Sequence, residues 1–135
     1  MPIRFRYLTD YNEVEQLLLK EDIYKNILNT ENLHKYFFNT AKMRCFAVYD
    51  NKTLFGIMIL KEESPEYVSV HGGIYKEFQG NFHRIKKTMK ALKKLIYPYH
   101  LMTTVRLNNI PAVKTVRKLG WKYKYTINST AVYVE

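Results

Sequence analysis

The order of strands and helices in this chain follows from residues 68–84, which read Val-Ser-Val-His-Gly-Gly-Ile-Tyr-Lys-Glu-Phe-Gln-Gly-Asn-Phe-His-Arg. Valine and isoleucine are strand formers, and they predict a strand over residues 67–74. Gly72 and Gly73 are predicted to interrupt that strand, either as a β-bulge or because another backbone approaches closely. A short connection then leads into a helix.

That helix is predicted over residues 84–96, because its apolar residues recur at spacings of three and four. We expect this face to pack on a sheet, and its members are Ile85, Met89, Leu92 and Ile96. Lysine and arginine occupy the other sides of the helix. Because a helix start presents N–H groups and the positive end of the helix dipole, it is a natural anion site.

Basic charge is concentrated in the second half of the chain. The protein has 22 Lys and Arg against 12 Asp and Glu, a formal net charge of +10. Residues 1–70 contain 9 Lys/Arg and 10 Asp/Glu, whereas residues 71–135 contain 13 and 2. The excess lies in the half with the predicted anion site and indicates an anionic partner, namely a polyphosphate cofactor, a nucleic acid or an acidic protein. A solvated lysine-rich surface is the alternative interpretation.

Length and composition predict one globular domain over residues 1–135. Hydrophobic and charged residues make up 47% and 25% of the chain, as in ordinary globular proteins. The longest apolar run, residues 54–60, is strand-sized, and the first residues have no signal-peptide pattern. The single cysteine, Cys45, cannot build a disulfide framework and is expected to be a small buried hydrophobe. We therefore expect a cytoplasmic protein with no membrane partner.

The remaining segments alternate between strand and helix patterns. A helix is predicted after a cap residue, Thr9 or Asp10, and another over residues 23–38. Asn109 is predicted to cap a helix over residues 111–119 that Gly120 ends. Further strands are predicted over residues 3–7, 44–49, 54–61, 101–107, 121–127 and 131–134. This order predicts an α/β (α+β) fold, in which about four helices flank a mixed, mostly antiparallel sheet of about six or seven strands.

Two stretches resemble the Gcn5-related N-acetyltransferases (GNAT). Residues 74–80, Ile-Tyr-Lys-Glu-Phe-Gln-Gly, are similar to the end of that family's fourth strand and its Arg/Gln-Gly-x-Gly-x-Gly/Ala loop. Residues 109–112, Asn-Ile-Pro-Ala, and residues 118–121, Lys-Leu-Gly-Trp, resemble the family's Asn-x-x-Ala helix that ends in Lys-x-Gly-Phe. By element order the resemblance covers nearly the whole chain. Residues 71–80 also resemble small acetyltransferase-like proteins of tailed phages.

The resemblance implies a site for acetyl-CoA. The backbone N–H of Ile74 would meet the acetyl carbonyl as an oxyanion-type donor. The N–H groups of the loop and helix start would meet the pyrophosphate, and Asn109 would contact the pantetheine or the phosphates. The loop and helix-start residues concerned are Gln79, Gly80, Asn81, Phe82, His83 and Arg84.

The chain departs from the family pattern at three positions. Phe82 and Arg84 stand where the loop usually has small residues, so Phe82 adds bulk near the expected pyrophosphate. Arg84 is itself a good phosphate partner. Val116 stands where the family often has a general-acid tyrosine, counted from Asn109. Tyr123 is the predicted substitute as general acid, with Tyr125 as an alternative.

His71 is the predicted catalytic base that deprotonates the amine. The alternative is a half-buried strand histidine held by hydrogen bonds, and Glu62 and Glu66 are alternative bases. His34 and His100 have no partners at metal-ligand spacing, so no metal site is predicted.

The sequence is compatible with three functions. The first is transfer of an acetyl group from acetyl-CoA to a primary amine of a small molecule or protein. The second is a GNAT-like protein that has lost catalysis and acts in binding or in phage virion assembly. The third is nucleic-acid binding through the basic helix and neighbouring tyrosines.

Overall fold

The computed structural model describes residues 2–19, 43–75 and 81–135. The predicted helix over residues 23–38, which includes His34, lies outside the described residues. So do the predicted cofactor-loop residues Gln79 and Gly80.

The described residues form seven strands and three helices. In chain order they are β1 (Ile3–Leu8), α1 (Tyr11–Leu19), β2 (Met43–Asp50), β3 (Thr53–Glu62), β4 (Tyr67–Ile74), α2 (Phe82–Leu95), β5 (His100–Arg106), α3 (Ile110–Lys118), β6 (Lys122–Ile127) and β7 (Thr130–Val134). The strands form one mixed sheet in the order β1-β2-β3-β4-β5-β7-β6. The predicted fold class is confirmed, and the strand ends differ from the predictions by at most one residue.

The chain divides into two compact units, and β4 contributes to both. Unit 1 consists of residues 1–61 and 71–81. In it β1 pairs with β2 and β2 with β3, both antiparallel. Asn51 has a positive φ of 60° and turns the β2–β3 hairpin, as its residue type allows. The core of this unit is built mainly from β2 and β3, and β3 is buried on both faces over six consecutive residues, from Phe55 to Leu60.

Unit 2 consists of residues 62–70 and 82–135. The start of β4 pairs with β5 in parallel, β5 pairs with β7 antiparallel, and β7 pairs with β6 antiparallel. Asn128 and Ser129 have positive φ values of 50° and 64° and form the tight β6–β7 turn.

Helix α2 begins two residues earlier than predicted, and its buried face is shifted. Leu92 is fully buried, but Ile85 and Met89 are only partly buried, so the prediction that all three lie in the core is wrong in part. Thr88 is 3% exposed and shares the buried face with Leu92. Its hydroxyl donates to the carbonyl of Arg84 at 2.8 Å, and this bond allows a polar side chain to be buried on the helix.

Helix α3 has the predicted caps at both ends. The side chain of Asn109 accepts a hydrogen bond from the backbone N–H of Ala112. At the other end Gly120 has a φ of +82°, its N–H bonds the carbonyl of Arg117, and the N–H of Trp121 bonds that of Val116. This bond pattern is a Schellman motif, which requires the left-handed conformation that glycine adopts without strain.

Within the described residues, no helix is both long enough and apolar enough to cross a membrane.

Candidate active site

Strand β4 continues through both glycines to Ile74, as predicted for residues 67–74, and a β-bulge at the glycines stays a prediction. The alternative prediction, a close backbone approach, is confirmed. A Cβ atom on Gly56 of β3 would lie 2.6 Å from the carbonyl oxygen of Gly73. Real Cβ contacts are longer than this, so the end of β4 can lie where it does only because residue 56 is glycine.

Tyr75 anchors the chain directly after β4. Its side chain is completely buried, and its hydroxyl donates to the carbonyl of Leu17 in α1 at 3.1 Å. Its backbone N–H donates to the carbonyl of Phe55 in β3 at 3.0 Å. An aromatic side chain with a satisfied hydroxyl is a strong and directional contact, so Tyr75 holds the end of β4 in one position within unit 1.

The start of β4 is held by β5 in unit 2. The parallel register joins Tyr67, Val68 and Ser69 to residues 100–102. One residue further, the buried hydroxyl of Thr103 donates to the carbonyl of Val70 at 2.6 Å. This side-chain bond follows directly after the three registered pairs, and residue 71 already belongs to the other unit.

Two site residues were predicted on the second half of β4. His71 and Ile74 are both half-buried in the strand, so the predicted half-buried placement of His71 is confirmed. The alternative bases lie in unit 2, at the end of β3 and the start of β4. Glu62 accepts a hydrogen bond from the hydroxyl of Tyr99 at 3.1 Å, and Glu66 is exposed in the turn before β4.

The start of α2 carries three of the predicted cofactor residues, and Asn81 precedes it directly. His83 and Asn81 are exposed, whereas Phe82 and Arg84 are half-buried. The ammonium group of Lys118 lies 4.5 Å from the centre of the Phe82 ring, a cation–π contact between the start of α2 and the end of α3. The first turn of α2 contains no acidic residue. The helix start therefore keeps the electrostatic character of an anion site.

Helix α3 supplies Asn109 and Val116. Asn109 is half-buried and its side-chain oxygen is engaged in capping. Val116 is 8% exposed and belongs to a core cluster with Val105, Val113, Ala131 and Tyr133. A residue at position 116 thus packs in the interior of unit 2. Neither its chemistry nor its surroundings suit a proton donor.

The tyrosines of β6 are exposed rather than packed. Tyr123 is 55% and Tyr125 51% exposed, whereas Tyr133 on the neighbouring strand is buried. The hydroxyl of Tyr123 shares a 2.7 Å hydrogen bond with that of Thr126, and its ring meets the Tyr133 ring edge to face. Every residue of β6 is exposed.

Among the described residues, no group of three or more His, Cys, Asp and Glu side chains could hold a metal ion. His100 is exposed, and its Nδ1 atom lies 3.6 Å from a carboxylate oxygen of Glu135. Cys45 is a buried free cysteine, as predicted, and burial raises the pKa of its thiol to about 12.

Gly56 and Tyr75 were not predicted from the sequence as residues that shape the site. Gly56 interrupts an otherwise apolar strand pattern, and an isolated glycine in a strand is a known signal of close backbone approach. Tyr75 follows the strand directly. No local pattern marks it as buried, because its partners Leu17 and Phe55 are distant in sequence.

Three solved structures illustrate what the fold resembles. Aminoglycoside acetyltransferase AAC(6')-Ib, in complex with coenzyme A and kanamycin, matches with a TM-score of 0.75 at 14% identity over 98% of this chain and 92% of its own. N-acetyltransferase PseH of Campylobacter jejuni, in complex with acetyl coenzyme A, matches with 0.70 at 11% identity over 98% and 97%. A Salmonella typhimurium acetyl transferase that modifies the N-terminal serine of ribosomal protein L7/L12 matches with 0.75 at 12% identity over 100% and 95%.

No protein-family model matches the chain, and no curated protein matches it by sequence. The likeness to these structures is therefore one of fold, and it extends over nearly the full length of both chains.

Proposed function

On the premise that the chain has the fold of the Gcn5-related N-acetyltransferases, we propose that it transfers an acetyl group from acetyl-CoA to a primary amine. The observation that best supports this proposal is the extent of the fold match. The match to the acetyltransferases named above extends over at least 98% of this chain, so practically the whole chain has their fold. Two of those structures contain coenzyme A or acetyl coenzyme A.

The residues at the start of α2 fit the phosphates of coenzyme A. Arg84 offers a guanidinium group, the helix dipole is positive at this end, and its first turn has no carboxylate to oppose an anion. Phe82 opposes the fit by its bulk. We expect the attraction to exceed this obstacle, because the backbone N–H groups and the dipole are unaffected by the side chain at position 82. Asn81, His83 and Asn109 complete the proposed contacts, with Gln79 and Gly80 of the preceding loop.

Acetyl-CoA supplies a thioester carbonyl that is activated toward an amine. The backbone N–H of Ile74, on the anchored end of β4, is proposed to donate to the carbonyl oxygen as negative charge develops there. His71 on the same strand is proposed to take the proton of the attacking amine. A C–N bond forms, the thioester C–S bond breaks, and the leaving thiolate takes a proton from Tyr123 in place of the tyrosine that Val116 replaces.

Calorimetric titration with acetyl-CoA at moderate salt tests the cofactor half of this proposal. We expect wild type to bind weakly, Phe82→Gly to bind more tightly because bulk is removed, and Arg84→Ala to lose about 1–3 kcal/mol of binding free energy. Lys90→Ala is the matched control, because it removes one positive charge from an exposed position further along the same helix. Absence of heat for both wild type and Phe82→Gly would contradict the cofactor proposal.

Release of free thiol from acetyl-CoA, measured against a panel of primary amines, tests the chemical half. We expect His71→Gln to lower kcat about 10²-fold or more, the usual contribution of a general base. Tyr123→Phe should lower kcat without weakening the binding of acetyl-CoA. If neither variant differs from wild type, the assigned roles of these two residues are wrong.

A GNAT-like protein that binds without catalysing is the second candidate, and the surroundings of Val116 favour it. The position of the usual general acid lies in a packed apolar cluster. Acetyl-CoA binding together with no thiol release for any amine would support this candidate over the first. For location we propose the cytoplasm, or the host cytoplasm for a phage-encoded chain, because a buried free thiol as the single cysteine fits a reducing compartment.

A further inference from the structure

Strand β6 is an exposed sheet edge, and Tyr123 is its one residue with a role in the proposed acetyl transfer. It is the last strand in the sheet order, and among the described residues it pairs with β7 on one side only. All six of its residues are exposed, although β7 beside it is buried over four consecutive residues. A strand of this kind presents backbone N–H and C=O groups along its outer side, and these groups can pair with a further strand.

The side chains of β6 combine apolar surface with positive charge. Tyr123, Tyr125 and Ile127 are 55%, 51% and 59% exposed. Lys122 precedes Tyr123, and Lys124 lies between the two tyrosines. The register with β7 shifts between Tyr123 and Tyr125, so Tyr123 shares a face with Tyr133, whereas Tyr125 shares the opposite face with Val132. Both faces of the strand therefore carry an exposed aromatic ring.

Leu107, after β5, extends this apolar surface. It is 45% exposed, and its backbone N–H bonds the carbonyl of Ser129 in the β6–β7 turn. Single exposed apolar residues are ordinary, but several large ones on and beside one edge strand mark an interaction surface.

The positive charge of unit 2 determines which kind of segment could pair with β6. Unit 2 contains 12 Lys and Arg against 4 Asp and Glu, a net charge of +8. Three of its carboxylates are engaged away from β6, because Glu62, Glu63 and Glu135 contact Tyr99, Ser69 and Lys93 respectively. A second copy of the chain would bring the same positive charge to the edge and be repelled, which is how lysines on edge strands prevent self-pairing. An acidic segment would be attracted by the same lysines.

We propose that β6 docks an extended acidic segment of a partner protein, which adds to the sheet as an eighth strand. Main-chain hydrogen bonds to β6 would hold the segment, and its carboxylates would face Lys122 and Lys124. Its apolar residues would cover Tyr125 and Ile127, which share one face of the strand. This surface does not include the acetyl-CoA contacts proposed for α2. Tyr123, the proposed general acid, lies on the same strand, and the inference does not depend on catalysis.

The test uses the whole protein and a synthetic peptide of alternating glutamate and valine, with a lysine–valine peptide of equal length as the negative probe. We expect the acidic peptide to bind and the basic peptide not to bind. The double variant K122E/K124E should weaken the acidic peptide about tenfold or more. K90E/K94E, which makes the same change in net charge on exposed residues of α2, should weaken it no more than about twofold. Equal weakening by the two variants would overturn the proposal, because the attraction would then be non-specific.

Backbone amide hydrogen exchange provides a readout that charge alone would not change. Bound acidic peptide should slow exchange within residues 122–127 and leave β1, the opposite edge of the sheet, unchanged. The proposal is overturned if β6 is not protected, if a single-stranded oligonucleotide binds more tightly than the peptide and displaces it, or if β6 instead mediates a dimer in solution. Protection of β6 by the acidic peptide alone would support it.

Discussion

The two halves of β4 are held by different means. The first half is buried at Val68, Ser69 and Val70, and its support is strand pairing with β5 and a buried threonine hydroxyl. The second half is more exposed, and its support is a glycine contact with β3 and the buried ring that follows the strand. The difference shows that the two ends of one strand can be positioned by different contacts, in the second half by one large side chain and one glycine of β3.

Replacing Tyr75 should have the largest effect on this arrangement. Tyr75→Ala removes a fully buried ring and should lower the free energy of unfolding by about 3–5 kcal/mol. Tyr75→Phe keeps the ring and loses only the bond to Leu17, so it should cost about 1 kcal/mol. Urea denaturation of both variants provides the measurement. A small effect of Tyr75→Ala would mean that the ring is not the anchor of the second half.

Gly56 and Gly72 offer a sharper test, because an added Cβ atom would meet different surroundings at the two positions. Gly56→Ala would place a Cβ atom 2.6 Å from the carbonyl oxygen of Gly73 and should lower stability by about 1–3 kcal/mol. At Gly72 the nearest atoms to a Cβ lie at 3.7 and 3.8 Å, so Gly72→Ala should be neutral or slightly stabilising. Thermal unfolding of the two variants should show this difference, and equal losses would contradict the contact described for Gly56.

The first half of β4 depends on Thr103 in the same way, with a smaller expected effect. Thr103→Val keeps the shape of the side chain and removes the hydroxyl that bonds the carbonyl of Val70, which should cost about 1–2 kcal/mol. Thr103→Ser keeps the hydroxyl and is the control for the bond itself. Should the serine variant be the less stable of the two, packing of the methyl group rather than the hydrogen bond would hold this half.

The smallest expected effect on stability concerns Cys45, which lies opposite Ile59 in the antiparallel pair of β2 and β3. Its thiol has a pKa raised from 9.0 to about 12, so above pH 9 the unfolded chain loses a proton that the folded chain keeps. Stability from this group is present below pH 9 and falls by about 1 kcal/mol between pH 9 and 10. Cys45→Ala should show a shallower decline than wild type over this interval. Parallel stability curves would contradict the assignment.

Local signals predicted much of the fold. The cap at Asn109 and the glycine stop at Gly120 are read from residue type, because each satisfies backbone groups within a few residues of itself. The face of α2 was predicted less well. Apolar spacing favoured Met89, whereas the structure buries Thr88, whose hydroxyl finds its partner within the helix. A hydrophobicity pattern does not record such a bond.

The sequence by itself determined the element order, the turns, the uneven charge and the resemblance of the motifs. All of these depend on neighbours along the chain. Only the tertiary structure decided that Gly56 meets the backbone at Gly73, that Tyr75 reaches Leu17, that position 116 lies in a core cluster and that β6 is exposed along its full length. These properties depend on contacts between residues distant in sequence and on a strand's place in the sheet, which periodicity and residue type do not encode.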